Sequence, residues 1–335
     1  MTASDRQFER AAGWRLRRLV AFGAMIAAGA AGVAQAETRI EKQLALDPGG
    51  HFTLDSDVGR VIVHGDSSAG ARIVVTADRD DLERRYDLRF EAIPGGARVT
   101  ARRHRAEGWS WFGWSGGFRG RVRFEVSVPK STAVTVRTSG GGIEVAGLDG
   151  DTDLRSSGGA VAVEQVAGKV NARSSGGGVS VRDIRGDVRM ESSGGGLHGI
   201  AVAGALTGET SGGRIELDRI TGDIDVDTSG GGIRIEEAGA RVKAVSSGGG
   251  VRVRFAAGNA KGGRLSSSGG GIDVWLDPAI GLDLDASSSG GSVVCDLPVT
   301  IQGRVSRSSL HGVLRGGGER LSVGTSGGGV RIAAR

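Results

Sequence analysis

The chain has 335 residues, of which 62 are glycine, five are proline and one is cysteine, with 43 Lys/Arg against 38 Asp/Glu. A single cysteine excludes an intramolecular disulfide framework, and a chain of this length can bury a large core without one. The formal net charge of +5 is carried largely by the first residues, so it gives no ground for a nucleic-acid partner.

The first predicted element is a leader. Arg15, Arg17 and Arg18 form a basic patch, an Ala/Gly-rich apolar stretch covers residues 19–33, and Ala34-Gln35-Ala36 supplies the small-x-small pattern that a signal peptidase reads. Residues 1–36 are therefore read as a signal helix, cleaved after Ala36. A retained anchor is the alternative, although the stretch is short against the roughly 20 apolar residues of a span. The leader holds five Lys/Arg and two acids, so its removal leaves a net charge of +2. The expected location is outside the cytoplasm, in the periplasm or at the cell surface.

Residues 37–130 read as β-rich but irregular. Strands are predicted at 71–76, 86–91, 97–102 and 121–128, and Gly59-Arg60-Val61-Ile62-Val63-His64-Gly65 looks like a degenerate strand and turn. This region is read as wide starting coils or a cap, with a separate small domain as the alternative. It contains Trp109-Ser110-Trp111-Phe112-Gly113-Trp114, followed by Phe118 and Arg119 and surrounded by glycines and arginines. The segment is too glycine-rich for a core strand. Either it plugs the first coil, or Trp109, Trp111, Phe112, Trp114, Phe118 and Arg119 form a contact loop for a membrane interface, a glycan or a protein.

Residues 131–335 are repetitive. A serine followed by a glycine run recurs at Ser139, Ser157, Ser175, Ser193, Ser211, Ser229 and Ser247, always 18 residues apart, and again at Ser268, Ser289, Ser309 and Ser326. Numbering each copy from its serine as zero, apolar residues fall at +4, +6, +9, +13 and +15, as in Val179, Val181, Ile184, Val188 and Met190. The pairs +4/+6 and +13/+15 alternate with polar residues, which is the strand period. Each unit is thus two short strands and two turns. One unit cannot bury its apolar face, whereas stacked units can. The predicted fold is all-β: a parallel β-solenoid of 18-residue Ser-Gly-Gly-Gly repeats, expected to be a right-handed β-helix. The turn glycines at +1 and +2, among them Gly140, Gly141, Gly158, Gly159, Gly176, Gly177, Gly194 and Gly195, are expected to need positive φ or close backbone approach, while +3 admits Ala160, Arg214 and Ser292. The Ser/Thr pair at −1 and 0 is expected to form a hydroxyl ladder.

Val122-Arg-Phe-Glu-Val-Ser-Val-Pro129, leading into Val134-Thr-Val-Arg-Thr-Ser-Gly-Gly-Gly-Ile-Glu-Val145, resembles the bacterial putative-adhesin domain family with β-strand repeats, a domain of unknown function. It is also similar to the head domains of proposed autotransporter adhesins. The resemblance covers roughly residues 37–335. It implies the solenoid fold and an adhesin-like role, and it carries over no active site.

The residues that could support chemistry are dispersed. His51, His64, His104, His198 and His311 have no metal-ligand spacing. Against the calcium-roll pattern G-G-x-G-x-D, the unit at Gly269 places Ile272 at the fourth glycine and Val274 at the aspartate. The acids of residues 149–153 and 223–227 have stacked neighbours that include Lys169, Arg189 and Arg241, so a solvated face is expected. Cys295 occupies an inward slot. Position −2 runs Arg137, Arg155, Arg173, then Glu191, Glu209, Asp227, a polarised stripe. These readings predict a non-enzymatic, exported cell-envelope protein, an adhesin or binding scaffold without metal or small-molecule cofactor. The expected partner is an envelope protein, glycan or membrane surface. The alternative is a glycan-active enzyme on a β-helix, which needs acids clustered in one groove.

Overall fold

The computed structural model describes residues 38–66, 69–78, 82–104, 121–301 and 306–335. The chain divides into two compact units, Met1–Gln35 and Ala36–Arg335, and every described residue lies in the second.

That unit is all-β apart from one helical turn among the described residues, Leu82–Arg85. Its strands form two long, mostly parallel sheets of 14 and 15 strands. In each regular repeat the strand after the glycine run joins the 14-stranded sheet and the strand after the second turn joins the 15-stranded sheet. Val161 pairs with Val179 and Val179 with Leu197 in the first. Val170 pairs with Val188 and Val188 with Leu206 in the second. Like residues therefore lie over like residues in adjacent parallel strands. The inward positions are fully buried, as at Val181, Ile184 and Met190, and each such side chain contributes about 1.5–3 kcal/mol of burial free energy. The layer between the sheets is thin. Where Met190 and Leu217 fill it, the inward slots of Gly199 and Gly208 carry no side chain, and a Cβ at Gly199 would stand 2.9 Å from Leu217 Cδ2.

The odd spacing from +6 to +9 has a backbone cause. Gln165, Asp183, Ala201, Arg219 and Glu237, all at +8, have φ between 52° and 56°, and Gly147 begins the column at φ 74°. A left-handed residue bends the strand, so two outward positions, +7 and +8, separate inward +6 from inward +9. In the pairing of Val161–Ala167 with Val179–Arg185, the register passes from Glu164↔Arg182 to Val166↔Ile184. Left-handed conformation costs an L-residue about 1–2 kcal/mol. The stacked neighbours fix the bend on both sides, which offsets that cost.

The strands predicted at 71–76, 86–91, 97–102 and 121–128 appear as Ala71–Ala77, Tyr86–Ile93, Gly96–Arg103 and Val122–Pro129. They join the same two sheets as the repeats. His51–Ser56 lies between Gly96–Arg103 and Ala133–Thr138, and Arg60–Asp66 lies between Val122–Pro129 and Ile143–Leu148. The large side chains Phe52, Phe124 and Tyr86 are buried at this end.

The other end departs from simple sequential stacking. Ser309–Leu314, expected to begin the tenth copy of the repeat, runs antiparallel to Leu282–Ser288 and to Val299–Ile301. It has Leu310 and His311 where the turn needs glycine, so the tight stacked turn cannot form. The last copy then folds back. Arg320–Thr325 lies between Gly263–Ser267 and Leu282–Ser288, and Val330–Ala334 between Ile272–Leu276 and Val293–Cys295.

Candidate functional site

The glycine turns form one continuous corner. At −1 the hydroxyl is buried, and it bonds twice: Ser192 Oγ donates to the Gly177 carbonyl at 2.8 Å and accepts from the Gly195 N–H at 2.9 Å. Ser156, Ser174 and Ser246 repeat this geometry, and Thr210 and Thr228 repeat it with threonine. Each hydroxyl thereby ties its own turn to the turn below. The serines at position 0, such as Ser157, Ser175 and Ser193, are exposed. The ladder thus runs through the −1 residues alone and pairs hydroxyl with backbone.

Of the two alternatives expected for the glycines, this geometry shows close approach and not positive φ. None of Gly140, Gly141, Gly158, Gly159, Gly176, Gly177, Gly194 and Gly195 has positive φ. The close approach is at +2. A Cβ on Gly141 would strike the Gly59 carbonyl, one on Gly177 the Ala160 amide nitrogen and one on Gly195 the Gly178 amide nitrogen. In the earlier copies +1 has more room: a Cβ on Gly176 would stand 3.0 Å from the Gly158 carbonyl, and one on Gly194 3.2 Å from that of Gly176. Position +3 is similar, with 3.0 Å from a Cβ on Gly178 to the Gly196 carbonyl. In the regular rungs the left-handed column is instead at +8, where after Gly147 the residues are not glycine and side-chain type does not reveal the conformation.

Many outward charges are tied to one another or to the turns. In the −2 stripe Arg173 meets Glu191 at 3.3 Å, where basic residues give way to acidic ones. Arg155 reaches Asp153 at 3.3 Å and Lys243 reaches Asp225 at 3.0 Å. The aspartates of the second turn accept backbone N–H groups of the next rung: Lys169 N–H to Asp151 at 2.8 Å, Ala205 N–H to Asp187 at 3.0 Å, Arg241 N–H to Asp223 at 3.1 Å. These acids are accounted for by turn closure. His198 lies 3.8 Å from Glu216 and His311 3.0 Å from Asp285. Among the described residues no group of three or more His, Cys, Asp or Glu could hold a metal ion.

Cys295 occupies its inward slot, opposite Ile332, but on the last strand of the 14-stranded sheet, so it is only half-buried. Burial pushes its thiol above the usual range. The aromatic segment with Trp109, Trp111, Phe112, Trp114, Phe118 and Arg119 lies outside the described residues. It is the connection between Gly96–Arg103 and Val122–Pro129. Trp275 is an outward tryptophan that belongs to no aromatic cluster in the sequence. Its ring packs against the Arg254 guanidinium, 5.5 Å from ring centroid to guanidinium carbon.

Two long, mostly parallel sheets joined by hydroxyl-tied glycine turns define a class of stacked β-repeat protein. Within that class, residues 68–333 match Toastrack DUF4097, and the chain belongs to that family. No curated protein matches it. Among solved structures it is similar to one described as a putative adhesin from Bacteroides fragilis, at 10% identity and TM-score 0.39, over 89% of this chain and 98% of that one. A putative cell adhesion protein from Clostridium sporogenes matches at 11% identity and TM-score 0.27, over 90% and 100%. A putative lipid binding protein from Parabacteroides distasonis matches at 12% identity and TM-score 0.42, over 90% and 98%.

Proposed function

We propose that this chain is an exported, non-enzymatic repeat protein of the cell envelope that acts as an adhesin-like binding scaffold. The observation that carries the reading is the pairing of outward charges along the regular rungs. Arg173–Glu191, Arg155–Asp153 and Lys243–Asp225 make a mixed, mutually neutralised lattice. Cleavage of a glycosidic bond needs two carboxyl groups facing one gap, one of them free to carry a proton. A surface on which many acids are already bonded to arginines and turn amides suits display and contact.

In this reading residues 1–36 are a signal helix removed after Ala36, residues 37–130 are the irregular coils or cap, and residues 131–335 are the regular solenoid, a right-handed β-helix of 18-residue repeats. The partner is an envelope protein, glycan or membrane surface rather than nucleic acid, and no cofactor takes part. Trp109, Trp111 and Trp114 form the contact segment, since clustered aromatics are favoured at contact sites. Cell fractionation with N-terminal sequencing tests export: a periplasmic or surface chain beginning at Glu37 supports it, and a cytoplasmic chain beginning at Met1 overturns it. Changing the three tryptophans together to serine tests contact. Loss of retention on envelope fractions with an unchanged melting temperature supports the contact segment. A fall of several kcal/mol, as for lost buried aromatics, makes the segment a plug.

A further inference from the structure

We propose that the outward face of the 15-stranded sheet is a self-association surface, on which a second copy of this chain docks face to face and antiparallel. The observation is the order of charge along one column of stacked residues. Strand register places Arg137, Arg155, Arg173, Glu191, Glu209 and Asp227 over one another in successive rungs. Three positive residues are followed by three negative ones, at about 4.8 Å per rung. A two-fold axis along the strand direction, passing between Arg173 and Glu191, turns this column onto its own complement. Arg173 then faces Glu191 of the second copy, Arg155 faces its Glu209 and Arg137 its Asp227. Such an interface is isologous, so each of these contacts is made twice.

The rest of the face permits the same arrangement. The neighbouring outward column runs Thr135, Asp153, Asn171, Arg189, Thr207 and Asp225. The same axis sets Thr135 against Asp225, Asp153 against Thr207 and Asn171 against Arg189, so no like charges meet. Asp55 precedes Arg137 in the stripe and Val245 follows Asp227, and these two also face each other. A shift of one rung would set Arg173 against Arg173 or Glu191 against Glu191. Parallel stacks would set every charge against its like, so the column specifies one register and one direction. A shallow groove of about 410 Å³ crosses the reversal, lined by Arg155, Arg173, Glu191 and Glu209 and by the small exposed serines at position 0. The stripe is not neutralised within one chain. Arg137 and Arg155 share Asp153, at 3.7 and 3.3 Å, and Arg137 lies 3.9 Å from Asp55. Glu209 and Asp227 are exposed, stacked one over the other, and without a partner among the described residues. Like charges opposite one another are unfavourable in a sheet, and the arginines of a second copy relieve them. Exposed ion pairs are individually weak, so the dimer is weak and salt-sensitive. The inference needs neither export nor the Trp109–Trp114 segment.

Sedimentation velocity of the full chain over a concentration series tests it. A monomer–dimer equilibrium is expected at about 0.01 M salt, where the screening length is roughly 30 Å, and the dissociation constant should rise at least tenfold at about 1 M, where it is roughly 3 Å. Glu209→Gln with Asp227→Asn breaks no bond within the chain and should weaken association at least tenfold at low salt. Charge reversal sets the register. Arg137→Glu with Arg155→Glu, and separately Glu209→Arg with Asp227→Arg, should each give a monomer, because the reversed ends meet their like. An equimolar mixture of the two should form a heterodimer, because their columns are complementary at all six positions. Should a reversed variant fail to fold, the salt series and the neutral pair decide. A monomer at every concentration in low salt overturns the proposal. So does a dimer that salt or the neutral pair leaves unchanged, or two folded reversed variants that do not associate when mixed.

Discussion

Ser288 donates its hydroxyl hydrogen bond to the carbonyl of Gly328 at 2.6 Å, forty residues further along the chain. In the regular rungs the same bond reaches fifteen residues back, as from Ser192 to Gly177. Thr325 in turn donates to Gly270 and Ser267 to Gly249. The ladder is thus unbroken in space while the chain order beneath it is rearranged. Stacking, rather than sequence adjacency, is what the turn chemistry specifies.

The inserted last rung should therefore behave as core. Ile332 is fully buried and lies between two neighbouring strands. Ile332→Asp should cost more than about 3 kcal/mol, as expected for an unpaired charge in a dry interior, and match Val181→Asp in mid-solenoid. Arg182→Asp, outward and adjacent to Val181, should stay within about 1 kcal/mol. Urea unfolding measures all three, and a mild Ile332→Asp would mean that the last rung is frayed.

The buried hydroxyl and its exposed neighbour should separate cleanly. Ser192→Ala strands the Gly177 carbonyl and the Gly195 N–H, at a cost of about 1–3 kcal/mol. Ser192→Thr should be tolerated, because Thr210 and Thr228 make the same bonds. Ser193→Ala should change stability by less than about 0.5 kcal/mol. Equal effects at 192 and 193 would contradict the ladder.

Among the turn glycines, the second is the sensitive one. Gly177→Ala drives a methyl into the Ala160 backbone and should cost about 2–3 kcal/mol, the upper part of the overpacking range. Gly176→Ala and Gly178→Ala should each cost under about 1 kcal/mol, since their Cβ positions stand 3.0 Å from the nearest atom. Thermal denaturation of the three variants ranks them directly.

The left-handed column offers a stabilising change. Ala201 has φ 56° and no side chain beyond Cβ to lose. Ala201→Gly should gain about 0.5–1 kcal/mol, the relief of left-handed strain less the entropy of the new glycine. Ala201→Val should lose stability, because a β-branched residue is a genuine outlier there. A destabilised Ala201→Gly would remove strain as the reason for the conformation.

The inward register was legible in the sequence because burial selects residue type: Val181, Ile184 and Val188 stand where the 18-residue pattern predicted. The left-handed column was not, because Gln165, Asp183, Ala201, Arg219 and Glu237 share a conformation that stacking imposes and no residue type announces. Spacing alone carried a trace of it, in the three-residue step from +6 to +9. The neighbour of Trp275 was hidden for a related reason: Ala333 pairs with it from 58 residues away in the chain, and only the fold-back of the last rung brings the two together. The glycine column was visible as composition, but which glycine is sterically indispensable depends on distances across rungs that a repeat pattern does not encode.

The interior position of Arg320–Thr325 and Val330–Ala334 also sets a schedule for assembly. Rungs from Ile143 to Ser267 can add one upon another in the order the chain is made. The strands Leu282–Ser288 and Val293–Cys295 cannot take their final places in that order, because the segment that must lie beneath them has not yet been synthesised. Completion waits for the last sixteen residues, so a chain interrupted short of Arg320 leaves the Gly263–Leu276 rung without its proper neighbour and its edge groups free to capture another chain.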